Sequence, residues 1–166
     1  MSGLIMSLFH SCAVNYEKAF ISKYNLVDFS QFNGVDMSFR GTDKQENLVI
    51  YGYAPDFIND TSKVGYYVMR LKKQDYQVVD MKWTLIENKI KADTIKLQHL
   101  AKTFIQYKIP RTQYTIPRLK VDEQGNVFVY LKDVETLALV RFIDEKEMLK
   151  DPREWVNIKD NWFKPK

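Results

Sequence analysis

Residues 66–87 read YYVMRLKKQDYQVVDMKWTLIE, and this stretch decides the fold class. Its two parts, Tyr66–Lys72 and Gln77–Glu87, are rich in aromatic and β-branched residues, which favour strands. In the second part apolar and polar residues alternate, as they do in a strand with one buried face. The four residues Lys73–Tyr76 between them have the length of a hairpin connection. The stretch therefore predicts two antiparallel strands joined by a short turn.

Strand-like segments recur on both sides of this hairpin. They are Val35–Phe39, Leu48–Tyr53, Leu119–Asp122, Val127–Lys132 and Thr136–Ile143, with Trp155–Ile158 as an optional last short strand. Short turns join several of them, and Gly125 supplies the positive φ that one such turn needs. Strands and helices do not alternate regularly, which argues against a doubly wound α/β fold. The segments therefore predict a mostly antiparallel sheet of about seven strands.

Two helices complete the expected fold. Ala92–Ile109 carries apolar residues at spacings of three and four, and Pro110 ends it. A shorter helix is predicted within Asn15–Tyr24, where aromatic residues recur every four positions. The fold class is thus α+β, with one main helix at about 92–109 and a short N-terminal helix. Residues 15–166 are expected to form a single α+β domain, and residues 1–14 a signal, anchor or arm before it.

Composition narrows the classes of function. The chain has 166 residues and a net charge of +4, but Lys63–Lys120 holds 13 basic and 4 acidic residues. This asymmetry is typical either of lysines on solvated outer faces or of a basic face for an acidic partner. One cysteine and two histidines exclude an internal disulfide and a Cys/His metal cluster. The sequence predicts no metal site and no cofactor.

The N-terminal segment offers a lipidation candidate. Gly3–Phe9 reads GLIMSLF and is followed by His10, Ser11 and Cys12. A short apolar run that leads to a cysteine resembles the end of a bacterial lipoprotein signal, in which that cysteine becomes the lipidated first residue. The resemblance implies a soluble domain tethered to the cell envelope through Cys12. The alternative is that the run belongs to the fold and Cys12 is a buried small apolar residue, in a cytoplasmic protein.

A short repeat is the most unusual local feature. Tyr107–Arg111 (YKIPR) and Tyr114–Arg118 (YTIPR) both read Y-x-I-P-R, seven residues apart. Arginine pairs well with phosphate or carboxylate, and tyrosine can stack on bases. Tyr107, Arg111, Tyr114 and Arg118 are therefore candidates for binding an anionic ligand. The alternative is a connection whose Tyr and Ile side chains pack inward while both arginines face water.

No pattern of catalytic residues supports an enzyme. The chain has no G-x-S-x-G motif and no glycine-rich phosphate loop, and no catalytic residue is predicted. The sequence favours a non-enzymatic binding domain, tethered through Cys12, for an unknown protein or an acidic ligand. One alternative is a basic-surface protein that binds nucleic acid, and another is an enzyme whose site is assembled from distant residues.

Overall fold

The computed structural model describes residues 15–53, 66–84 and 94–166. Within them, one antiparallel sheet has nine strands in the order β4-β3-β2-β1-β5-β6-β7-β9-β8. The strands are β1 Val35–Thr42, β2 Leu48–Tyr53, β3 Tyr66–Leu71, β4 Val78–Thr84, β5 Arg118–Val121, β6 Val127–Tyr130, β7 Leu139–Arg141, β8 Trp155–Lys159 and β9 Trp162–Pro165. The α-helices are α1 Tyr16–Tyr24, α2 Thr94–Phe104 and α3 Glu145–Lys150, and a 3-10 helix spans Ser30–Phe32.

The register of the sheet separates a core face from an outer face. Met37, Leu119, Val129 and Leu139 stand opposite one another across four neighbouring strands. Because residues that are directly paired point to the same side of a sheet, these four share the core face, and all are buried. The adjacent position along each strand points to the other side, where Lys120 is exposed.

Helices α1 and α2 cover the core face. Their buried side chains join the buried strand residues in one cluster; they are Phe20, Ile21, Tyr24, Leu97, Leu100, Ala101 and Phe104. The spacing of three and four residues in each helix explains why one stripe of each is buried. The α+β class, the mostly antiparallel sheet and the short N-terminal helix are therefore as predicted.

The main helix is shorter than predicted. It ends at Phe104 rather than at Ile109, and residues 92–93 lie outside the described residues. Tyr107 and Ile109 instead form backbone hydrogen bonds to the chain that follows Pro110. A residue that precedes proline, here Ile109, disfavours helical backbone. The helical spacing of apolar residues therefore extends further along the sequence than the helix itself.

The sheet also has nine strands rather than about seven. The addition with the largest effect on packing is β9, which pairs with both β7 and β8. Trp162 of β9 is fully buried, with its ring 6.0 Å from that of Phe20. β7 is in turn shorter than the predicted Thr136–Ile143 strand, since residues 136–138 precede its first residue. The chain end is thus part of the core layer.

Candidate functional site

The two copies of Y-x-I-P-R pair with each other. Ile109 N–H donates to the carbonyl oxygen of Tyr114 at 2.8 Å, and Ile116 N–H donates to that of Tyr107 at 2.9 Å. An isolated antiparallel bridge lies between these two bonds. The repeat therefore forms a small hairpin that connects α2 to β5.

The turn of this hairpin strains one arginine. Thr112 N–H donates to the carbonyl oxygen of Ile109 at 3.1 Å, with Pro110 in the second position and Arg111 in the third. Arg111 has a φ of 65°, in the left-handed region. Proline followed by a positive φ is the pattern of a type II turn, which prefers glycine or asparagine in the third position. An arginine there costs roughly 1 kcal/mol or more.

Tyr24 of α1 holds the first copy of the repeat in place. Its hydroxyl oxygen accepts from Lys108 N–H at 3.0 Å, and its O–H donates to the Lys108 carbonyl oxygen at 3.4 Å. Its ring packs edge-on against Tyr107, with centroids 5.4 Å apart. Tyr24 thus attaches the hairpin to α1 through two hydrogen bonds and one ring contact.

A cleft of about 530 Å³ lies between α1 and the turn. We call it the basic cleft; it is lined by Asn15, Lys18, Ala19, Ser22, Lys23, Pro110 and Arg111. The helix positions follow the i, i+3, i+4 spacing of one helix face. Lys18, Lys23 and Arg111 are exposed, and no ion pair of the described residues includes them. The lining carries three cations and no carboxylate.

A fourth cation, Lys108, lies close enough to the basic cleft for the charge of Lys23 to affect its pKa. Burial, and then the charge of Lys23, lowers the pKa of Lys108 below its ordinary value of 10.5. Its ammonium donates to Thr115 Oγ1 at 3.0 Å, across the bridge between the two copies. Lys108 is therefore a further cation near Lys23, and the two like charges disfavour each other's charged form.

The structure separates the four predicted ligand-binding residues. Arg111 lines the basic cleft, and Tyr114, 73% exposed, lies on the opposite side of the turn. Tyr107 is in the core, where burial raises its pKa to about 12. Arg118 is on β5, where its Nε donates to Asp36 Oδ1 at 2.8 Å. Of the two arginines, Arg111 is therefore the one that lines a cavity together with other cations.

Sequence reasoning missed Lys18 and Lys23. Both lie on the polar face of α1, at a spacing of five residues that also includes Ser22. The available signal was the pairing of lysines on one helix face in the predicted Asn15–Tyr24 segment. Nothing in the sequence says that Arg111, almost ninety positions further along the chain, meets that face.

A second cavity lies across the turn from the basic cleft. We call it the apolar groove; it has a volume of about 850 Å³ and is formed by the start of α1, the hairpin, residues 131–138 and the end of β9. Its apolar side chains include Tyr16, Ile109, Tyr114, Leu131 and Leu137. Asn15 lines both cavities, so they are neighbours on one surface.

The remaining sequence predictions concern the anchor and metals. Cys12 lies outside the described residues, and its lipidation stays a prediction. Within the described ranges, no three His, Cys, Asp or Glu side chains are grouped closely enough to hold a metal ion. No helix in that part of the chain has both the length and the apolar character needed to span a membrane.

Comparisons with known proteins return no relative. No family model matches the chain, and neither a curated protein nor a solved structure matches it. The function therefore has to be argued from the two cavities and from the residues that form them.

Proposed function

We propose that this chain is a non-enzymatic binding domain that takes an anionic group of its partner, a carboxylate or a phosphate, in the basic cleft. One observation carries the proposal: a strained arginine stands at the tip of a turn, facing a cleft that two further unneutralised cations line. Guanidinium and ammonium groups are the usual protein ligands of both anions.

The charge of the cleft supports an anionic ligand. Lys18, Lys23 and Arg111 come from two elements far apart in sequence, and their mutual repulsion is not offset by a carboxylate in the lining. Like charges that converge without counter-charges destabilise the folded chain. A bound anion removes this cost, and hydrogen bonds from the ammonium and guanidinium groups add to the gain.

The backbone of Arg111 supports the same reading. Glycine at this position relieves the strain of a positive φ, yet the chain carries an arginine there. Strained backbone is common at ligand-binding positions, where surrounding structure compensates for its cost. Pro110 and the hydrogen bond from Thr112 hold the turn, so the guanidinium starts from a fixed point.

The experiment is a titration with inorganic phosphate and with citrate, followed by NMR of backbone and arginine side-chain N–H groups. Saturable shifts confined to α1 and the turn are expected. Arg111→Gly is expected to weaken binding at least about tenfold, since one charge-assisted contact contributes about 1.5–3 kcal/mol. Lys18→Gln and Lys23→Gln should weaken it by smaller factors.

Two matched variants separate this role from general effects. Lys146→Gln removes one exposed cation of α3, which lines neither cavity, and should leave binding unchanged. Glu46→Gly relieves the same kind of backbone strain, a φ of 62°, at a residue that lines neither cavity, and should also leave binding unchanged. Equal losses in Arg111→Gly and Lys146→Gln mean that net charge alone acts, and the proposal is then wrong.

Binding of single-stranded nucleic acid is a second candidate, because cations lie over aromatic rings on the outer face of the sheet. Lys120 Nζ is 5.5 Å from the centre of the Phe128 ring, and the Arg40 guanidinium is 5.4 Å from that of Tyr51. Stacking surfaces for bases combine these groups. The test is binding of oligothymidylate at several salt concentrations; Phe128→Ala must weaken it, and no binding at low salt removes this candidate.

A further inference from the structure

The basic cleft and the apolar groove are the two sides of one turn. Pro110 and Arg111 line the cleft, while Ile109 and Thr112 line the groove. Asn15, the N-cap of α1, borders both. A ligand that lies across the turn therefore contacts both cavities at once.

The charged side chains that line the two cavities are mostly of one sign. Lys132 and Lys164 line the groove together with one carboxylate, that of Glu17, and the three cations of the basic cleft follow across the turn. Neither Lys132 nor Lys164 belongs to an ion pair of the described residues. Five cations against one carboxylate favour an acidic ligand by charge complementarity and disfavour a basic one by like-charge contacts.

Aromatic side chains form the rim of the groove. Tyr16 and Tyr114 are two of the exposed large apolar side chains of the molecule, and both line this groove. Leu131, Leu137 and Ala138 line the same groove. Tyrosine is enriched among the residues that contribute most to binding, and an apolar depression beside it accepts apolar side chains.

The groove also has a defined wall in the loop before β7. Asp133 accepts from the backbone N–H groups of Thr136 and Glu135, and these bonds lower the pKa of its carboxyl. The loop that presents Leu137 is thus held by its own hydrogen bonds. A preformed wall lowers the conformational cost of binding.

We propose that an extended acidic peptide binds across this turn, with apolar side chains in the groove and Asp or Glu carboxylates in the basic cleft. The inference rests on the proposed function and names the chemistry of the partner. A peptide is favoured over a compact acid because the cavities lie on opposite sides of the turn. An extended chain, which advances about 3.3 Å per residue, presents successive side chains to two neighbouring cavities.

The test uses fluorescein-labelled peptides and the full-length chain. The first peptide set joins a block of Leu and Phe to a block of Asp and Glu, in both orders. A second set carries Asn and Gln in place of the acids, and a third carries Ser and Thr in place of the apolar block. The first set is expected to bind at least roughly tenfold more tightly than either of the others, measured by fluorescence anisotropy.

Variants of the protein locate the peptide. Tyr114→Ser should weaken binding of the first peptide set by roughly tenfold, because it alters the apolar groove. It should leave phosphate affinity unchanged, because Tyr114 does not line the basic cleft. Leu149→Ser is the matched control, since Leu149 is also 73% exposed but lines neither cavity, and it should change neither affinity. Arg111→Gly should weaken binding of both phosphate and the first peptide set.

The outcomes distinguish this inference from the function on which it rests. Suppose that Arg111→Gly abolishes phosphate binding but Tyr114→Ser leaves peptide affinity unchanged. The proposed function then stands, and the inference of a peptide ligand is overturned. Tight binding of octanoate, or of phosphatidylglycerol vesicles in place of the peptides, also overturns it. Peptide and phosphate affinities that are both unchanged in Arg111→Gly overturn the inference and the function together.

Discussion

The two copies of Y-x-I-P-R have the same pattern and opposite environments. In the first copy the tyrosine is buried and the arginine is exposed at the turn; in the second, Tyr114 is exposed and Arg118 is paired with Asp36. Antiparallel pairing runs the copies in opposite directions, so the tyrosine of each pairs with the isoleucine of the other. Register and neighbouring elements, rather than local sequence, therefore decide what each copy does.

Replacing the tyrosines of the two copies is expected to give the largest difference in the free energy of unfolding. Tyr107→Ala removes a ring that packs against Tyr24, Phe29 and Phe32, and should lower the free energy of unfolding by about 3–5 kcal/mol. Tyr114→Ala should change it by less than about 0.5 kcal/mol, since the side chain is exposed. Urea unfolding of both variants measures the difference. Equal costs contradict the assignment of the two copies to core and surface.

Replacing the arginines of the two copies is expected to give the next largest difference in the free energy of unfolding. Arg118→Met leaves the half-buried Asp36 carboxylate without that partner, and should cost about 1–3 kcal/mol of unfolding free energy. Arg111→Met should cost less than about 0.5 kcal/mol, because Arg111 is exposed.

A double-mutant cycle checks this reading. Asp36→Asn in the Arg118→Met background should recover part of the loss, because no unpaired carboxylate then remains. Additive losses in the double variant mean that the two side chains do not act as a pair.

Relief of strain gives a smaller effect of opposite sign. Arg111→Gly should raise the free energy of unfolding by about 0.5–1 kcal/mol, because the strain of the positive φ exceeds the entropy that glycine adds to the unfolded chain. Glu46→Gly should do the same at its own turn. Thermal unfolding measures both, and a destabilised Arg111→Gly shows that the guanidinium serves the fold rather than a ligand.

The smallest effect concerns the second position of each copy, where Lys108 faces Thr115. Because the folded-state pKa of Lys108 is depressed, its charged form destabilises the fold at neutral pH. That cost disappears as the pH rises through the folded-state pKa toward 10.5, where the unfolded chain also loses its proton.

A comparison with Lys108→Met isolates this titration. The stability of the natural chain relative to Lys108→Met should rise between neutral pH and about 10.5, as followed by urea unfolding at each pH. Lys23→Gln should reduce that rise, since the charge of Lys23 is the second cause of the depressed pKa. A constant difference between the two chains across this window shows that Lys108 does not titrate as inferred.

Local patterns were sufficient for most elements of the fold. The hairpins at 66–84 and 118–130 follow from alternation and from turn residues such as Gly125, whose φ is 93°. The C-terminal strand β9 was harder to see, because WFKP is short and contains a proline. Its position depends on β7 and β8, which it pairs with, and on the pocket that Trp162 fills against α1.

The candidate site was predicted only in part. Residue type and the repeat point to Arg111 and Tyr114, and both line cavities. The same signals point equally to Tyr107 and Arg118, which lie in a core cluster and an ion pair. No local signal distinguishes the two groups, since burial depends on elements distant in the chain.

Periodicity and turn chemistry are local properties of the sequence, and they are enough to predict the α+β class, the antiparallel pairing and the approximate positions of helices α1 and α2. Only the tertiary structure decided that α1 meets the turn at Arg111, through the hydroxyl of Tyr24 and the backbone of Lys108. That contact joins residues 84 positions apart. It creates the basic cleft because packing, which has no local signature, brings together cations that the sequence keeps apart.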